Sequence, residues 1–369
     1  MTSQVDVAVI GGGPIGMSIA WRCAQRGLRT ALHDPAPGSG ASSVAAGMLS
    51  PVAEAYFGEV ELTRLLVDSA ERWPAFAAEL TAVTGHEIGY RTDGTLVVAL
   101  TGDDLREAQR LWTYQQGLDL PISVLRPTRL RDREPALSPR VRGGAFMPDD
   151  HQVDPRRLVA ALRTALDRAG VSMVPHQVTD LSTVDARQVV VAAGRGSAAL
   201  TGLPVRPVKG QILRLRAGGA GAVGFRHVIR GYADSRHVYL VPRADGEVVV
   251  GATIEERGDT TVTAGAVLEL LRAAADLVPE TVEYELVQAQ ASARPGTPDN
   301  APLLGWHQPA GGQPVLVATG HHRHGIVLAP ATADLIADLA AGATADPVLA
   351  PFSPQRFAVP VGRPAGEDR

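Results

Sequence analysis

The sequence predicts an α/β protein with a largely parallel sheet and a second, mainly antiparallel sheet-rich unit. Two observations lead to this fold class. First, an apolar strand at Val5–Ile10, a helical pattern at 15–25 and a second strand at Thr30–His33 follow one another, as in the βαβ units of parallel sheets. Second, residues 211–250 contain short apolar strands, two of them joined by an Asp-Gly hairpin turn at 245–246, which is typical of antiparallel pairing.

The turn after the first strand carries the fingerprint of a dinucleotide site. Gly11, Gly13 and Gly16 have G-x-G-x-x-G spacing. In that spacing the first glycine allows a tight turn, the second lets a pyrophosphate approach the backbone, and the third lets the helix pack on the strand. Asp34 follows the second strand, 23 residues after Gly11, where an acid accepts hydrogen bonds from a ribose diol. We therefore predict a Rossmann-like nucleotide-binding domain.

Further helices and strands follow from apolar periodicity and from capping residues. Leucines at helical spacing predict a helix from about residue 62 to residue 85, interrupted or kinked at Pro74. Asp154 and Pro155 are the predicted N-cap and first residue of another helix, which Gly170 closes. The remaining predictions are helices at 103–116, Ala264–Leu277 and 330–341, and strands at 95–100, 171–174, 189–191, 212–215, 237–241, 247–251 and 315–318.

The order of these elements predicts two domains, each built from separate segments. Because buried strands return at 171–191, the nucleotide-binding fold resumes there after an insertion. We expect this domain to comprise residues 1–85, 145–205 and 290–360, and a sheet-rich, substrate-binding domain to comprise residues 86–144 and 206–289. Residues 361–369 are expected to form a disordered tail.

Composition and charge exclude several classes of function. The net charge is −4 and 20% of the residues are charged, so the chain lacks the basic face of a nucleic-acid or membrane-surface protein. No apolar run reaches the length of a membrane span, and no charged, apolar leader precedes the first strand, which predicts a soluble, cytoplasmic protein. Cys23 is the sole cysteine, so no disulfide can form within the chain. Lys209, the sole lysine, is predicted to be a solvated or strand-end charge.

A nucleotide-binding fold of this kind suggests redox chemistry with one of two cofactors. A nicotinamide dehydrogenase needs a general acid or base, whereas a flavin accepts the hydride itself. The glycine-rich loop at 320–325 leads into a helix at 326–331, and this arrangement directs N–H donors and a positive dipole end at the charge of a reduced flavin. The loop therefore favours flavin. Its three histidines lack a carboxylate at ligand spacing, so no metal is predicted.

Six motifs spread over the chain resemble one family. They are VIGGGPIG, SSVAAGML, QVDP, HVYLVPR, ARPGTPDNAPLLG and GHHRHGIVLAPATADLI, and they lie between residues 5 and 341. On these motifs the chain is similar to the D-amino-acid oxidase superfamily of FAD enzymes, and within it to the glycine oxidases of thiamine biosynthesis. The resemblance implies a Rossmann-like FAD-binding domain and a mainly antiparallel substrate domain.

The resemblance also implies a set of FAD contacts in the N-terminal unit, the small-residue segment after it, and the C-terminal loop. Asp34 stands where a glutamate is more common, and the family's backbone contact to adenine falls on Val178. No cysteine lies in the C-terminal half, which implies that FAD is held non-covalently. The implied cofactor residues are Gly11, Gly13, Pro14, Ile15, Gly16, Asp34, Pro35, Ser42, Ser43, Ala46, Gly47, Met48, Val178, His321, His322, Arg323, His324, Gly325, Ile326 and Val327.

Four residues are implied at the substrate. Arg294 falls where the family binds the substrate carboxylate, Tyr239 where a tyrosine hydroxyl assists it, and Arg323 where the loop contacts flavin and substrate. His237 lies two residues before Tyr239, on the same strand face, and is a further pocket candidate. An arginine that binds a carboxylate bidentately orients the amine for hydride transfer, so no side-chain base is required.

The implied reaction is the oxidation by dioxygen of glycine, and of small amines such as sarcosine. Its products are H2O2 and an imine, which water hydrolyses to glyoxylate and ammonia or which is used in thiazole formation for thiamine. The expected partners are a thiazole synthase and further copies of the chain. Two alternatives stay open: a D-amino-acid or sarcosine oxidase or dehydrogenase of the same superfamily, and a protein that binds FAD without catalysis.

Overall fold

The computed structural model describes residues 5–218 and 223–357, and the predicted tail at 361–369 lies outside these ranges. None of the helices within them is long and apolar enough to cross a membrane. The helices are α1 (Pro14–Gln25), α2 (Val60–Thr84), α3 (Gly102–Gln116), α4 (Pro127–Arg133), α5 (Pro155–Arg168), α6 (Ser197–Thr201), α7 (Ala264–Leu277) and α8 (Ala329–Ala340).

The described ranges also contain sixteen strands. They are β1 (Val5–Ile10), β2 (Thr30–His33), β3 (Met48–Leu49), β4 (Thr95–Ala99), β5 (Ser123–Leu125), β6 (Gly143–Met147), β7 (His151–Gln152), β8 (Ser172–Val174), β9 (Ala186–Val191), β10 (Arg206–Arg216), β11 (Val228–Ala233), β12 (Arg236–Pro242), β13 (Glu247–Gly251), β14 (Glu285–Gly296), β15 (Leu303–His307) and β16 (Val315–Thr319).

A six-stranded sheet forms the nucleotide-binding half, in the order β15-β16-β9-β1-β2-β8. All neighbours are parallel except β15 and β16. Successive side chains alternate between two apolar layers, as they must in a strand buried on both faces. Val190 packs in the layer that contains α1, α2, α5 and α8, and Val191 packs in the layer on the opposite face.

An eight-stranded, largely antiparallel sheet forms the second half, in the order β14-β10-β13-β12-β11-β4-β6-β5. Only the β11–β4 pair is parallel among these neighbours. One face of this sheet is apolar and packs against α7, whose Leu270 and Leu277 belong to one buried cluster with Leu213 and Leu240 of the sheet. The other face carries the polar side chains described below. The predicted fold class, α/β with a second sheet-rich unit, is confirmed.

Sheet membership bears on the predicted division into domains. The strands β6 and β14 continue past residues 145 and 290 as members of the eight-stranded sheet. We therefore propose the two-domain division with these two boundaries moved to the ends of β6 and β14.

Two local predictions need correction. The predicted interruption at Pro74 is wrong, because α2 continues from Val60 to Thr84, while a kink at Pro74 stays a prediction. Trp73 and Phe76, beside the proline, are buried in the helical layer, and this packing holds the helix through the missing hydrogen bond. Lys209 is not solvated. It is fully buried within β10, and its Nζ lies 2.7 Å from Oδ1 of Asp259, because a buried ammonium requires an anionic partner.

Candidate active site

A cavity of about 1180 Å³ lies where the carboxyl ends of the parallel strands face the eight-stranded sheet on the side away from α7. The β1–α1 turn and the segment 38–48 line one end. Residues of β11, β12 and β14, together with the loop at 318–327, line the other. The crevice outside the carboxyl ends of parallel strands is the usual ligand site of such folds.

The glycine turn adopts the conformation that its spacing predicts. Gly11 has a φ of +112°, and a Cβ there would overlap the carbonyl of Ala192. A Cβ at Gly16 would overlap the carbonyl oxygen of Gly11, so both positions require glycine. Helix α1 begins beyond Gly13 without a side-chain cap. The first N–H groups of the helix can therefore donate hydrogen bonds to a phosphate.

Asp34 lies at the end of β2 and at the edge of the cavity. Its carboxylate accepts hydrogen bonds from the backbone N–H of Gly12 at 2.6 Å and of Ala36 at 2.8 Å. These bonds fix the carboxylate beside the glycine turn, where a ribose adjoining the pyrophosphate would lie. Val178 lines the same end of the cavity, and its side chain lies in the apolar layer. Its backbone is therefore the part that can contact an adenine base.

The segment after Asp34 presents small residues to the cavity. The hydroxyl of Ser42 is buried and has no hydrogen-bond partner among the described residues, whereas the hydroxyl of Ser43 donates to the carbonyl of Gly40 at 2.8 Å. Gly47 has a φ of +79°, and a Cβ there would overlap the carbonyl of Val153. The unpaired Ser42 hydroxyl and the uncapped α1 fit a phosphate-bearing cofactor.

At the other end of the cavity, two strands bring Arg294 and Tyr239 together. Arg294 lies beside the Tyr239 hydroxyl, and burial raises the pKa of Tyr239 above its ordinary value despite the charge of that guanidinium. Nη1 of Arg294 donates a hydrogen bond to the carbonyl of Thr253 at 3.4 Å. Arg294 lies over Gly210, and Tyr239 lies over Gly251, so that a Cβ at either glycine would overlap the side chain above it. A guanidinium and a protonated phenol therefore converge on one point of the cavity, which suits a carboxylate.

The loop at 320–325 brings three histidines and Arg323 to the cavity. His321 Nε2 lies 3.2 Å from the hydroxyl of Thr332, while both ring nitrogens of His322 and Nε2 of His324 have no partner in the part of the chain that is described. Burial lowers the pKa of His321 and His322 to about 3 and that of His324 to about 4, so the rings are neutral. No described group of three or more His, Cys, Asp or Glu residues is arranged to hold a metal.

Two charged residues at this end were missed in the sequence. Glu54 lies between Arg230 and Arg323, with ion-pair distances of 2.6 Å and 3.1 Å. His237 also lines the cavity, with its ring 4.5 Å from that of Tyr232, and partial burial lowers its pKa. Glu54 and Arg230 are far apart in the chain and belong to no motif, so only the fold brings them together.

Most of the predicted site residues therefore line one cavity. The exceptions are Gly16, which packs α1 against the glycine turn, and Ser43, whose hydroxyl is bonded within its own loop. The residues brought together are Gly11, Gly13, Pro14, Ile15, Asp34, Pro35, Ser42, Ala46, Gly47, Met48, Val178, His237, Tyr239, Arg294, His321, His322, Arg323, His324, Gly325, Ile326 and Val327.

Comparison with known proteins agrees with this geometry. Residues 6–339 match the family described as FAD dependent oxidoreductase (DAO). The glycine oxidase of Geobacillus kaustophilus (strain HTA426) is 35% identical over 98% of this chain and all of its own length. The crystal structure of glycine oxidase from Geobacillus kaustophilus superposes with a TM-score of 0.87 and 34% identity, covering 95% of this chain and 98% of that one.

One further relative differs in length. The bifunctional protein ThiO/ThiG of Trichormus variabilis (strain ATCC 29413 / PCC 7937) is 32% identical over 95% of this chain, which spans 55% of that longer protein.

Proposed function

Since this chain belongs to the FAD-dependent oxidoreductase family (DAO), we propose that it oxidises glycine, and small amines such as sarcosine, with dioxygen. Glycine, dioxygen and water give glyoxylate, ammonia and H2O2. The proposal depends on one observation: the Arg294 guanidinium and the Tyr239 hydroxyl lie side by side over Gly210 and Gly251 of the eight-stranded sheet. Likeness to glycine oxidase over nearly the whole chain supports it.

In this proposal the glycine turn, Asp34 and Ser42 hold the ADP part of FAD, and the segment 46–48 and the loop at 321–327 hold the flavin ring. When bound there, FAD would supply the acceptor for the hydride of the amine carbon and the route for the electrons to dioxygen. Cys23 is buried in α1, and burial raises the pKa of its thiol to about 12. It therefore offers no thiolate for a covalent flavin, which supports non-covalent binding.

The residues of the chain act by orientation. Arg294 binds the substrate carboxylate, and the Tyr239 hydroxyl donates to the same group, which fixes the direction of the amine carbon. The histidine rings of the loop are neutral and add no positive charge near the amine, and the positive charge of Arg323 in the same loop is paired with Glu54. A neutral amine is the form that can lose hydride, so this environment favours the reactive state.

We also propose a role for the imine product in thiazole synthesis for thiamine. The support is the ThiO/ThiG relative, in which a region like this chain is joined to a further segment. Transfer to a separate thiazole synthase, and a homo-oligomeric state, are part of this proposal. We also propose a cytoplasmic location, which agrees with the buried, free Cys23, because thiols stay reduced in that compartment.

The test is the absorbance spectrum of the purified protein during anaerobic addition of glycine, followed by a peroxide-coupled assay. We expect glycine to bleach a flavin spectrum and to give peroxide in air, with sarcosine active and D-phenylalanine poor. Peroxide from D-phenylalanine and none from glycine would move the protein to the D-amino-acid oxidases. If glycine bleaches the flavin without forming peroxide and the electrons pass rapidly to a dye, the protein is a dehydrogenase. If no amine bleaches the flavin, the protein binds FAD without catalysis.

A further inference from the structure

The substrate end of the cavity contains three guanidiniums, whereas the proposed substrate brings one carboxylate. Arg230, Arg294 and Arg323 all line this cavity. Arg230 lies directly opposite Tyr239 in the pairing of β11 with β12, and Arg294 lies beside the same tyrosine. Because any unpaired guanidinium can bind a carboxylate bidentately, charge alone does not decide which arginine receives the substrate.

Two of the three arginines share a carboxylate that belongs to the chain. Oε1 of Glu54 lies 2.6 Å from Nη1 of Arg230, and Oε2 of Glu54 lies 3.1 Å from Nη2 of Arg323. Arg294 has no ion pair with any residue in the described ranges, and its Nη1 donates to the carbonyl of Thr253 at 3.4 Å. Of the three, Arg294 is therefore the arginine that lacks a counterion in the described part of the chain.

Glu54 carries a negative charge at neutral pH. Its side chain is 11% exposed, so burial opposes its ionisation. The charges of Arg230 and Arg323 outweigh burial and hold the pKa of Glu54 well below its ordinary value. Among the described residues that line the cavity, the only other acid is Asp34, at the cofactor end. Glu54 is therefore the counterion available to both arginines.

Buried contacts fix the segment that carries Glu54. The carboxylate of Asp150 accepts hydrogen bonds from the backbone N–H of Val52 at 2.9 Å and of Ala53 at 3.0 Å. The side-chain amide of Gln115 donates to the carbonyl of Val52 at 2.9 Å. Asp150 and Gln115 are fully buried. The backbone that precedes Glu54 is therefore held on two sides, and the carboxylate stays between the two arginines.

The arginine that binds the carboxylate decides where the amine carbon of the substrate lies. In the eight-stranded sheet, Arg294 is on β14 and Arg230 is on β11, with β10, β13 and β12 between them. The two side chains therefore approach Tyr239 of β12 from opposite directions. A substrate held by Arg230 or Arg323 would place its amine carbon away from the position set by Arg294, and a misplacement of about 1 Å costs on the order of 100-fold in rate.

We propose that Glu54 is a positioning residue: it occupies Arg230 and Arg323, so that the substrate carboxylate binds Arg294 and the amine takes one productive orientation. This inference rests on the proposed function, which assigns the substrate carboxylate to Arg294. In this role Glu54 exchanges no proton or electron with the substrate. Its removal should add wrong binding sites for a carboxylate and leave the right one in place.

Acetate tests this role without catalysis, because it has a carboxylate and no amine. Calorimetric titration of the holoenzyme with acetate gives its dissociation constant in the wild type, Arg294→Ala, Glu54→Gln and the double variant. We expect Arg294→Ala to weaken acetate binding at least about tenfold, since a desolvated charge pair is lost. Adding Glu54→Gln to Arg294→Ala frees two guanidiniums and should restore binding at least about tenfold. Damage to the fold would not restore binding.

The kinetics of Glu54→Gln with glycine give a second signature. Glycine should bind at all three arginines in this variant, but only the orientation set by Arg294 is productive. If the three arginines bind glycine equally, kcat and KM should both fall about threefold, and kcat/KM should stay close to the wild-type value. A merely structural role for Glu54 would lower kcat/KM.

Glu107→Gln is the matched control, because it makes the same change at a nearby acid. Glu107 of α3 is exposed and lies close enough to His237 for its charge to act on that ring. It is not among the residues that line the cavity, and within the described ranges it has no ion pair with the three arginines. Acetate binding and the kinetics with glycine should therefore not change.

The outcomes are distinct. If the double variant binds acetate as weakly as Arg294→Ala, or if Glu54→Gln lowers kcat/KM, Glu54 does not have this role, whether or not glycine is oxidised. If Glu54→Gln does not fold, Arg294→Ala decides alone: acetate binding at the wild-type level would overturn the role, and weakened binding would support it. If acetate shows the expected pattern but glycine does not reduce the flavin, the proposed function fails and the role of Glu54 in placing a carboxylate stands.

Discussion

The guanidinium of Arg294 lies flat against Gly210 of the neighbouring strand, in the space that a side chain at residue 210 would fill. The register explains this contact. Arg294 pairs with Val208 across β14 and β10, so Gly210 is its diagonal neighbour on the same face. A glycine at this point makes the sheet a flat support on which the arginine reaches Tyr239.

We expect Gly210→Ala to displace Arg294 while the protein still folds. The overlap involves the far end of a flexible side chain, and Gly210 has no positive φ. A misplacement of about 1 Å costs on the order of 100-fold in rate, so kcat/KM for glycine should fall by about that factor with the FAD spectrum intact. Gly265→Ala, where an added Cβ meets nothing within 4 Å, is the control. Unchanged kcat/KM in Gly210→Ala would argue against Arg294 as the carboxylate ligand.

Arg294→Ala should remove the carboxylate partner altogether. Truncating one member of a desolvated charge pair costs about 2–5 kcal/mol, which would appear in kcat/KM for glycine. Bound FAD should be unaffected, because Arg294 is assigned to the substrate. Steady-state assays and absorbance spectra check both points, with Arg216→Ala, at the exposed end of β10, as a control for loss of charge. Wild-type turnover in Arg294→Ala would refute the assignment.

Tyr239→Phe should have a smaller effect. It removes the hydroxyl that lies beside Arg294 and that is proposed to donate a hydrogen bond to the substrate. Leaving the buried partners unsatisfied costs about 1–3 kcal/mol. Kinetics with glycine measure this loss, and a larger loss than that of Arg294→Ala would reverse the roles of the two residues.

The N-terminal unit was predictable because its signals are local. The strands Val5–Ile10 and Thr30–His33 have the predicted bounds, since each depends on a short apolar run and on the glycine next to it. By contrast, β14 was not recognised. Its sequence, ELVQAQASARPG, alternates polar residues with alanines and has no β-branched or aromatic residue after Val287. Its stability comes from eleven paired positions along β10, which no local pattern records.

The charged residues show the same limit. Arg294 and Tyr239 belong to motifs that resemble a family, whereas the Arg230–Glu54 pair depends on the register of β11 with β12 and on the path of the segment after β3. Lys209 was mistaken for a surface charge because its partner, Asp259, lies in an irregular segment fifty residues later. A buried ion pair between distant residues has no signature in the sequence.

FAD should co-purify with the protein and leave it on denaturation. The proposed contacts are hydrogen bonds and packing, and the sole cysteine is buried in α1. Acid precipitation followed by centrifugation should give a yellow supernatant and a colourless pellet. Colour that remains in the pellet would indicate a covalent link.

The histidine loop should make the fold sensitive to acid. His321 is buried, and burial, with a smaller contribution from His324, lowers its pKa from 6.5 to about 3. In the unfolded chain its pKa is about 6.5. Between these values the unfolded chain binds a proton that the folded chain does not, so the free energy of unfolding falls as the pH falls. The contribution of neutral His321 is complete above about pH 6.5 and is lost progressively towards pH 3.

His321→Gln should abolish this share of the pH dependence, because glutamine has no titrating group and can still reach the hydroxyl of Thr332. Each pH unit within the window corresponds to about 1.4 kcal/mol for one such group. As the pH is lowered from 7.5 to 5, the Tm of the wild type should therefore fall by more than the Tm of His321→Gln. His86→Gln, at an exposed site, should show no such shift relative to the wild type. If the difference in Tm between the wild type and His321→Gln does not change with pH, the fold does not hold His321 neutral.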